Sequence, residues 1–328
     1  MQPTDPSDRA PLLELIERGA LSPEQIPAAL ELTGLYPDRL RWRHFIEQLL
    51  LWLGALALVF SLLFFIAYNW DNLGRFAKFA MVEVFISASV AGYCKWRQHP
   101  ILGKLSLCMA SIGLGILLAL FGQTYQTGAD PWQLFFNWAL LILPWTLLAR
   151  FPSLWIVWLV LLNLSAILYF KTFRNTFSFL FHSDLALIWI LFSFNAIALA
   201  CWELLAKTLA WLRTAWATRI IAVAAGVAAT CLAFYGIFER DANVIIHFAA
   251  WLVYVAALLG YYRYQRPDLF MLAGACLSVI AVVIALMTDN LFSTLDDGSG
   301  LLLIALTIIG LSTAAAMWLR KVHKELDL

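Results

Sequence analysis

This 328-residue sequence is poor in charge. Asp, Glu, Lys and Arg together make up 13% of it, about half their share in soluble domains. With 62% hydrophobic residues and a mean hydropathy of +0.80, the chain lacks the polar surface a water-soluble domain of this length needs. Cysteine is sparse as well. Cys94, Cys108, Cys201, Cys231 and Cys276 lie singly, in or at the ends of apolar runs, and no CxxC pair occurs. That excludes a disulfide framework and gives no zinc-site spacing, so the cysteines read as small packing residues. His44, His99, His182, His247 and His323 are equally scattered. No HExxH, Walker A, GxGxxG or GxSxG string is present. Soluble-enzyme and nucleic-acid readings lose their usual supports, and the expectation is no metal, no cofactor and no nucleic-acid partner.

What is present is a series of long apolar runs. Ten can be read, at about 49–68, 76–94, 105–121, 134–149, 154–170, 185–204, 217–237, 244–262, 269–287 and 301–319. Each has the length that a bilayer core of about 30 Å requires at about 1.5 Å per residue. Over such lengths in lipid only helices satisfy their own backbone, so the fold class is an all-α integral membrane protein. Trp42, Trp70, Trp96, Trp132, Trp155, Trp211, Trp216 and Trp318 fall near run ends, the expected interfacial belt.

The few cations are distributed unevenly. Seventeen of the 22 Lys and Arg residues fall on one side of the membrane that these runs define. They are Arg9, Arg18, Arg39, Arg41 and Arg43 before the first run, nine in the even connections, and Arg320, Lys321 and Lys324 at the end. Arg75, Lys78, Lys171, Arg174 and Arg240 fall on the other side. Cationic loops stay cytoplasmic during insertion, which predicts ten spans with both termini inside. The first run begins too far along for a cleavable signal peptide, so the chain is expected to stay whole in the membrane.

Three regions follow: residues 1–45, a polytopic region 46–320, and a tail 321–328. In the first, Leu12, Leu13, Leu15 and Ile16 make an apolar face ending at Gly19, and Ser22-Pro23-Glu24-Gln25 has the form of a helix start. Ile26, Ala29, Leu30 and Thr33 continue it to Gly34. This predicts a short cytoplasmic helical hairpin, too small for a core of its own. In the seventh run Ala222, Ala224, Ala225, Gly226, Ala228 and Ala229 leave little side-chain bulk, which predicts a central helix. Ser111 with Gly115, and Ala256 with Gly260, offer similar close contacts. The junction Tyr93-Cys94-Lys95-Trp96 to Pro100 is similar to Tyr261-Tyr262-Arg263-Tyr264 to Pro267. Duplication at an offset of six spans and chance recurrence both fit it.

Candidate functional groups gather in two places. On the face poor in cations, Asn69, Trp70 and Asp71 follow the first run, and Gln123 and Tyr125 lie in the connection after the third. Turn formation with interfacial anchoring is one reading of these loops. A polar vestibule for a ligand or partner is the other. Within the spans, Glu83, Asn163 and Asn195 are costly in lipid and therefore candidates for function. Interhelical hydrogen bonding is the structural reading of the two asparagines. His247 lies one turn into the eighth run. Asp71, Asp130, Asp184, Glu239, Asp241, Asp289, Asp296 and Asp297 collect on the cation-poor face, with no paired motif beyond Asp296-Asp297.

The Ser22-Pro23-Glu24-Gln25 start, the Ile66-Ala67-Tyr68-Asn69-Trp70-Asp71 exit, Gln123-Thr124-Tyr125, and Trp138 ahead of Pro144 together resemble one family. It is the bacterial predicted membrane proteins catalogued as domain of unknown function 2157, and the resemblance covers roughly residues 10–150. It implies a bacterial inner-membrane location and no catalytic residue. Members are often encoded beside another membrane protein, which favours a complex. The function expected is a non-catalytic membrane component or scaffold, in contact with the bilayer and a second membrane or periplasmic protein. A small-solute transporter or channel with a polar cavity near Glu83, Asn163 and Asn195 is the alternative. A lipid- or glycan-modifying enzyme built on the loop carboxylates is a third reading.

Overall fold

The computed structural model describes residues 15–16, 18–22, 24–26, 29, 39–96, 99–173, 183–239, 244–291 and 297–325. Among these, ten helices are long and apolar enough to cross a membrane, and no strand occurs. They are α1 (Arg39–Tyr68), α2 (Arg75–Lys95), α3 (Pro100–Tyr125), α4 (Pro131–Ala149), α5 (Pro152–Thr172), α6 (Ser183–Thr208), α7 (Ala215–Phe238), α8 (Val244–Tyr264), α9 (Leu269–Leu291) and α10 (Asp297–Glu325). A single 3₁₀ turn, Ala210–Leu212, joins α6 to α7. The all-α membrane fold expected from the apolar runs is the one observed.

The helices outrun the apolar stretches that reveal them. α3, α4 and α5 each begin on a proline, which costs no hydrogen bond at the first helical position. α3 continues past residue 121 until Gln126 turns left-handed at φ 46°. α4 stops at Arg150 in the same conformation. α1 starts at Arg39, well ahead of its apolar run, and an exposed Arg43–Glu47 pair one turn apart supports the extension.

Two helices serve as hubs. α2 packs most extensively on α3, which also holds α1 and α4. α6, α8 and α9 pack on α7, α10 packs on α9, and α5 joins the halves by touching α4, α6 and α7. The prediction of a central seventh helix is met: Ala217, Ala225, Ala229 and Ala233 have no exposed surface. Methyl side chains let neighbouring backbones close in. At a six-span offset α3 corresponds to α9, and each touches the other three helices of its set, α1, α2 and α4 or α7, α8 and α10, whereas α7 packs extensively on α8 with no comparable contact of α1 with α2.

Hydrogen bonds between helices do what hydrophobicity cannot do in lipid. The Trp138 indole donates to the Ser111 carbonyl at 2.8 Å, and its ring lies against Gly115, where a Cβ would come within 2.4 Å. In the second half, Tyr254 donates to the Ala222 carbonyl at 2.7 Å. Trp251 donates to the Ser278 hydroxyl, which is 2.7 Å from that of Thr230.

Most of the expected N-terminal hairpin lies outside the described residues. So do Arg174, His182, Arg240, Asp241, Asp296 and tail residues 326–328. What is described agrees with the expected cap signals. Gly19 has φ +66° and donates to the Ile16 carbonyl, closing a helix end. The Ser22 N–H donates to Gln25 Oε1 at 3.1 Å, one half of a capping box.

Candidate functional site

The loops carrying Asn69, Trp70, Asp71, Gln123 and Tyr125 meet through the first turn of α2. Lys78 lies in that turn, and its ammonium sits 3.6 Å from the centroid of the Trp70 ring. The lysine is buried, and a desolvated cation over an indole is worth about 2 kcal/mol. Its neighbour Phe79 packs against Tyr125 at 6.0 Å between ring centroids, and Tyr125 against Phe121 at 4.9 Å. Asn69 donates from its amide to the Phe65 carbonyl at 2.9 Å, while its own carbonyl accepts from Asn72 and Leu73. Asn69 is thus a helix-end and turn residue, and Trp70 belongs to an apolar cluster with Ile66, Val82 and Leu120. Asp71 and Gln123 are exposed.

Two details differ from the sequence reading. Gln123, Thr124 and Tyr125 form the last turn of α3 rather than a loop, because the left-handed Gln126 ends the helix beyond them. Lys78 is a packed intrahelical residue rather than a connection charge.

The intramembrane amides form a closed unit. Asn163 on α5 donates to Asn195 Oδ1 at 3.2 Å, and Asn195 on α6 donates to Asn163 Oδ1 at 2.6 Å. Each amide also donates to the carbonyl four residues back, of Leu159 and Leu191 respectively. Every amide hydrogen is used, so the pair works as a clamp between α5 and α6.

Glu83 stands apart from that clamp. It lies about 12 Å along α2 from its first residue, on the outward face with Ala80, Val84, Ser87 and Ala91, all exposed. No hydrogen bond or ion pair engages its carboxyl among the described residues. The three polar groups of the transport alternative are therefore not brought together around one cavity. The described loop carboxylates Asp71, Asp130, Asp184, Glu239 and Asp289 likewise stand at different helix ends. Among the described residues no three His, Cys, Asp or Glu side chains gather to hold a metal.

One polar constellation escaped the sequence. Glu203, near the end of α6, is buried with its carboxylate held by three side chains. Arg266 donates to both oxygens at 3.1 and 3.0 Å, Tyr262 to Oε1 at 2.7 Å, and Tyr261 to Oε2 at 3.1 Å. Arg266 also donates to the Arg213 carbonyl, and Arg213 donates to the carbonyls of Ala206 and Lys207. On the same face Arg219 makes a two-pronged contact with Asp268 at 3.0 and 3.2 Å, and Arg263 pairs with Glu325. The signal available beforehand was a glutamate at a span end facing the Tyr-Tyr-Arg junction. Nothing local says that the two meet.

Similarity to known proteins agrees with this architecture. None of the curated proteins and none of the solved structures matches the chain. Residues 13–155 match the family described as predicted membrane protein, domain of unknown function 2157. That stretch runs from the N-terminal segment through α4 and contains the Trp70–Lys78 stack, the Tyr125 contact and Trp138 on Gly115.

Proposed function

We propose that the protein is a non-catalytic membrane scaffold that assembles through the outward face of α2, and that this face receives a second copy of the same chain. Glu83 is the observation that carries the reading. A carboxyl facing hydrocarbon is costly and rare, and this one has no internal partner among the described residues. The residues around it favour an approaching helix. Ala80, Ser87 and Ala91, seven and four residues apart on one helix face, carry little bulk, which lets two backbones come close. Ser87 stands one turn from Glu83, is exposed, and has no hydrogen-bond partner among the described residues. In a two-fold pair with parallel α2 helices, the Glu83 carboxyl of each copy reaches the Ser87 hydroxyl of the other. Two-fold pairs are the commonest assemblies of identical chains.

The test is dilution-dependent energy transfer between labelled copies in liposomes. Wild type should associate, and Glu83→Leu combined with Ser87→Leu should shift the midpoint by tenfold or more toward the monomer. Equal association of wild type and double variant would remove the α2 reading.

The same reading takes the basic face as cytoplasmic and the membrane as the bacterial inner one. Its support is the seventeen-to-five split of Lys and Arg between the two sides. A fluorescent-protein fusion after residue 328 should fluoresce, and an alkaline phosphatase fusion there should be inactive.

A further inference from the structure

On the basic face a cavity of about 580 Å³ opens between the two halves, where α1, α3, α5 and α7 approach one another. Three helices begin at its wall. The caps of α3, α5 and α7 are His99, Phe151 and Thr214, and none supplies a side-chain hydrogen bond to its helix. Pro100 and Pro152 bring no N–H and Leu154 donates to the Phe151 carbonyl at 3.2 Å, so few first-turn donors stay open, but the positive ends of the three helix dipoles point to one space.

The side chains continue the pattern. Lys104 is half-buried in the wall with its ammonium 5.4 Å from the Phe151 ring centroid, and has no carboxylate partner among the described residues. Trp52 stacks on Phe151 at 6.0 Å, and Trp211 adds a further aromatic wall. The Thr214 hydroxyl oxygen is shielded from water and has no hydrogen-bond partner among the described residues. Among the described residues no Asp or Glu lines the cavity. A space with an unpaired cation, three helix starts and an unused hydroxyl, but no anion, is built for a negative ligand.

Its location narrows the choice. Tryptophan-lined walls at a span end lie at the depth of lipid headgroups, and basic pockets between membrane helices take anionic headgroups. We infer that this cavity binds the phosphate of an anionic phospholipid, with the Lys104 ammonium as its side-chain contact and the Thr214 hydroxyl as a second one, reached when that hydroxyl turns from its shielded position toward the cavity. Trp52, Phe151 and Trp211 pack against the glycerol and upper acyl region. A zwitterionic lipid brings a cation that finds no carboxylate here, so the site discriminates by net headgroup charge. The inference stands independently of assembly through α2.

Native mass spectrometry of the delipidated full chain tests it, with phosphatidylglycerol and phosphatidylcholine as the probes. One phosphatidylglycerol should be retained about tenfold more tightly than phosphatidylcholine, the scale of one charge-assisted contact. Lys104→Met should erase that preference, Lys104→Arg should keep it, and Thr214→Val should reduce it severalfold. Should Lys104→Met fail to fold, Thr214→Val decides: an unchanged preference there overturns the site. Equal retention of the two lipids, or a preference unaffected by Lys104→Met, also overturns it. Displacement of phosphatidylglycerol by millimolar inorganic phosphate would assign the cavity to a free anion and contradict the lipid.

Discussion

Asn163 and Asn195 each donate an amide hydrogen to the other's carbonyl oxygen, at 3.2 and 2.6 Å, across the contact between α5 and α6. Because the two side chains satisfy each other, removing one leaves the other with an unpaired donor and acceptor in an apolar setting. Asn163→Leu should lower stability in detergent by about 1–2 kcal/mol. Adding Asn195→Leu should cost less than the sum of the two single changes. A double-mutant cycle from chemical unfolding measures this coupling, and strict additivity would show the pair to be independent.

Glu203 and Arg266 give a larger expected effect. Truncating Arg266→Ala leaves a buried carboxylate with only two tyrosine donors, at a cost of about 3–5 kcal/mol. Replacing both, Glu203→Gln with Arg266→Met, removes the stranded charge and should recover most of that loss. Thermal unfolding of the three proteins separates the cases. A double variant as unstable as Arg266→Ala would mean that packing, rather than charge, dominates there.

Gly115 is where Trp138 needs an absent side chain. With a Cβ coming within 2.4 Å of the indole, Gly115→Ala must push the ring away and stretch its 2.8 Å hydrogen bond to the Ser111 carbonyl. A loss of about 1–3 kcal/mol follows from overpacking. The Trp138 indole N–H resonance should move in the NMR spectrum of the variant. Gly122→Ala, with nothing within 4 Å of the added methyl, should leave both quantities unchanged.

The Lys78 and Trp70 contact predicts a different asymmetry. Trp70→Leu removes the aromatic face beneath a buried ammonium, whereas Lys78→Met retains the packing and removes the charge. Trp70→Leu should therefore destabilise by about 2 kcal/mol, and adding Lys78→Met should restore part of it. Unfolding midpoints of the two variants and their combination check the ordering.

How much of this was visible in the sequence depends on range. Ten spans were legible because length and hydropathy are local properties. Their ends were not, since Pro100 and Gln126 extend α3 in both directions beyond its apolar core. Asn163 and Asn195 were recognisable as hydrogen-bonding groups, yet their mutual pairing depends on α5 lying beside α6. Glu83 was conspicuous as a charge in a span. Whether it faced the bundle or the outside was fixed only by α2 packing on α3 through the opposite side, with Val82 and Ser89 buried. Glu203 carries no local signal because its partner is 63 residues away. Of the two family-like loops, the shared face followed from topology. Their junction through Lys78 and Phe79 did not, because a lysine beside a connection reads as a solvated charge.

Pairing through α2, as proposed, makes that helix an interface rather than a lipid-facing surface. Photo-crosslinking from position 84 in liposomes containing only the purified protein tests it most directly, because Val84 adjoins Glu83 on the exposed face. Pairing through α2 should give a covalent dimer joined α2 to α2, lost with Glu83→Leu and Ser87→Leu, and no dimer from the same group at exposed Val160 on α5. Adducts only to lipid from position 84, with the protein running as a monomer, would contradict it.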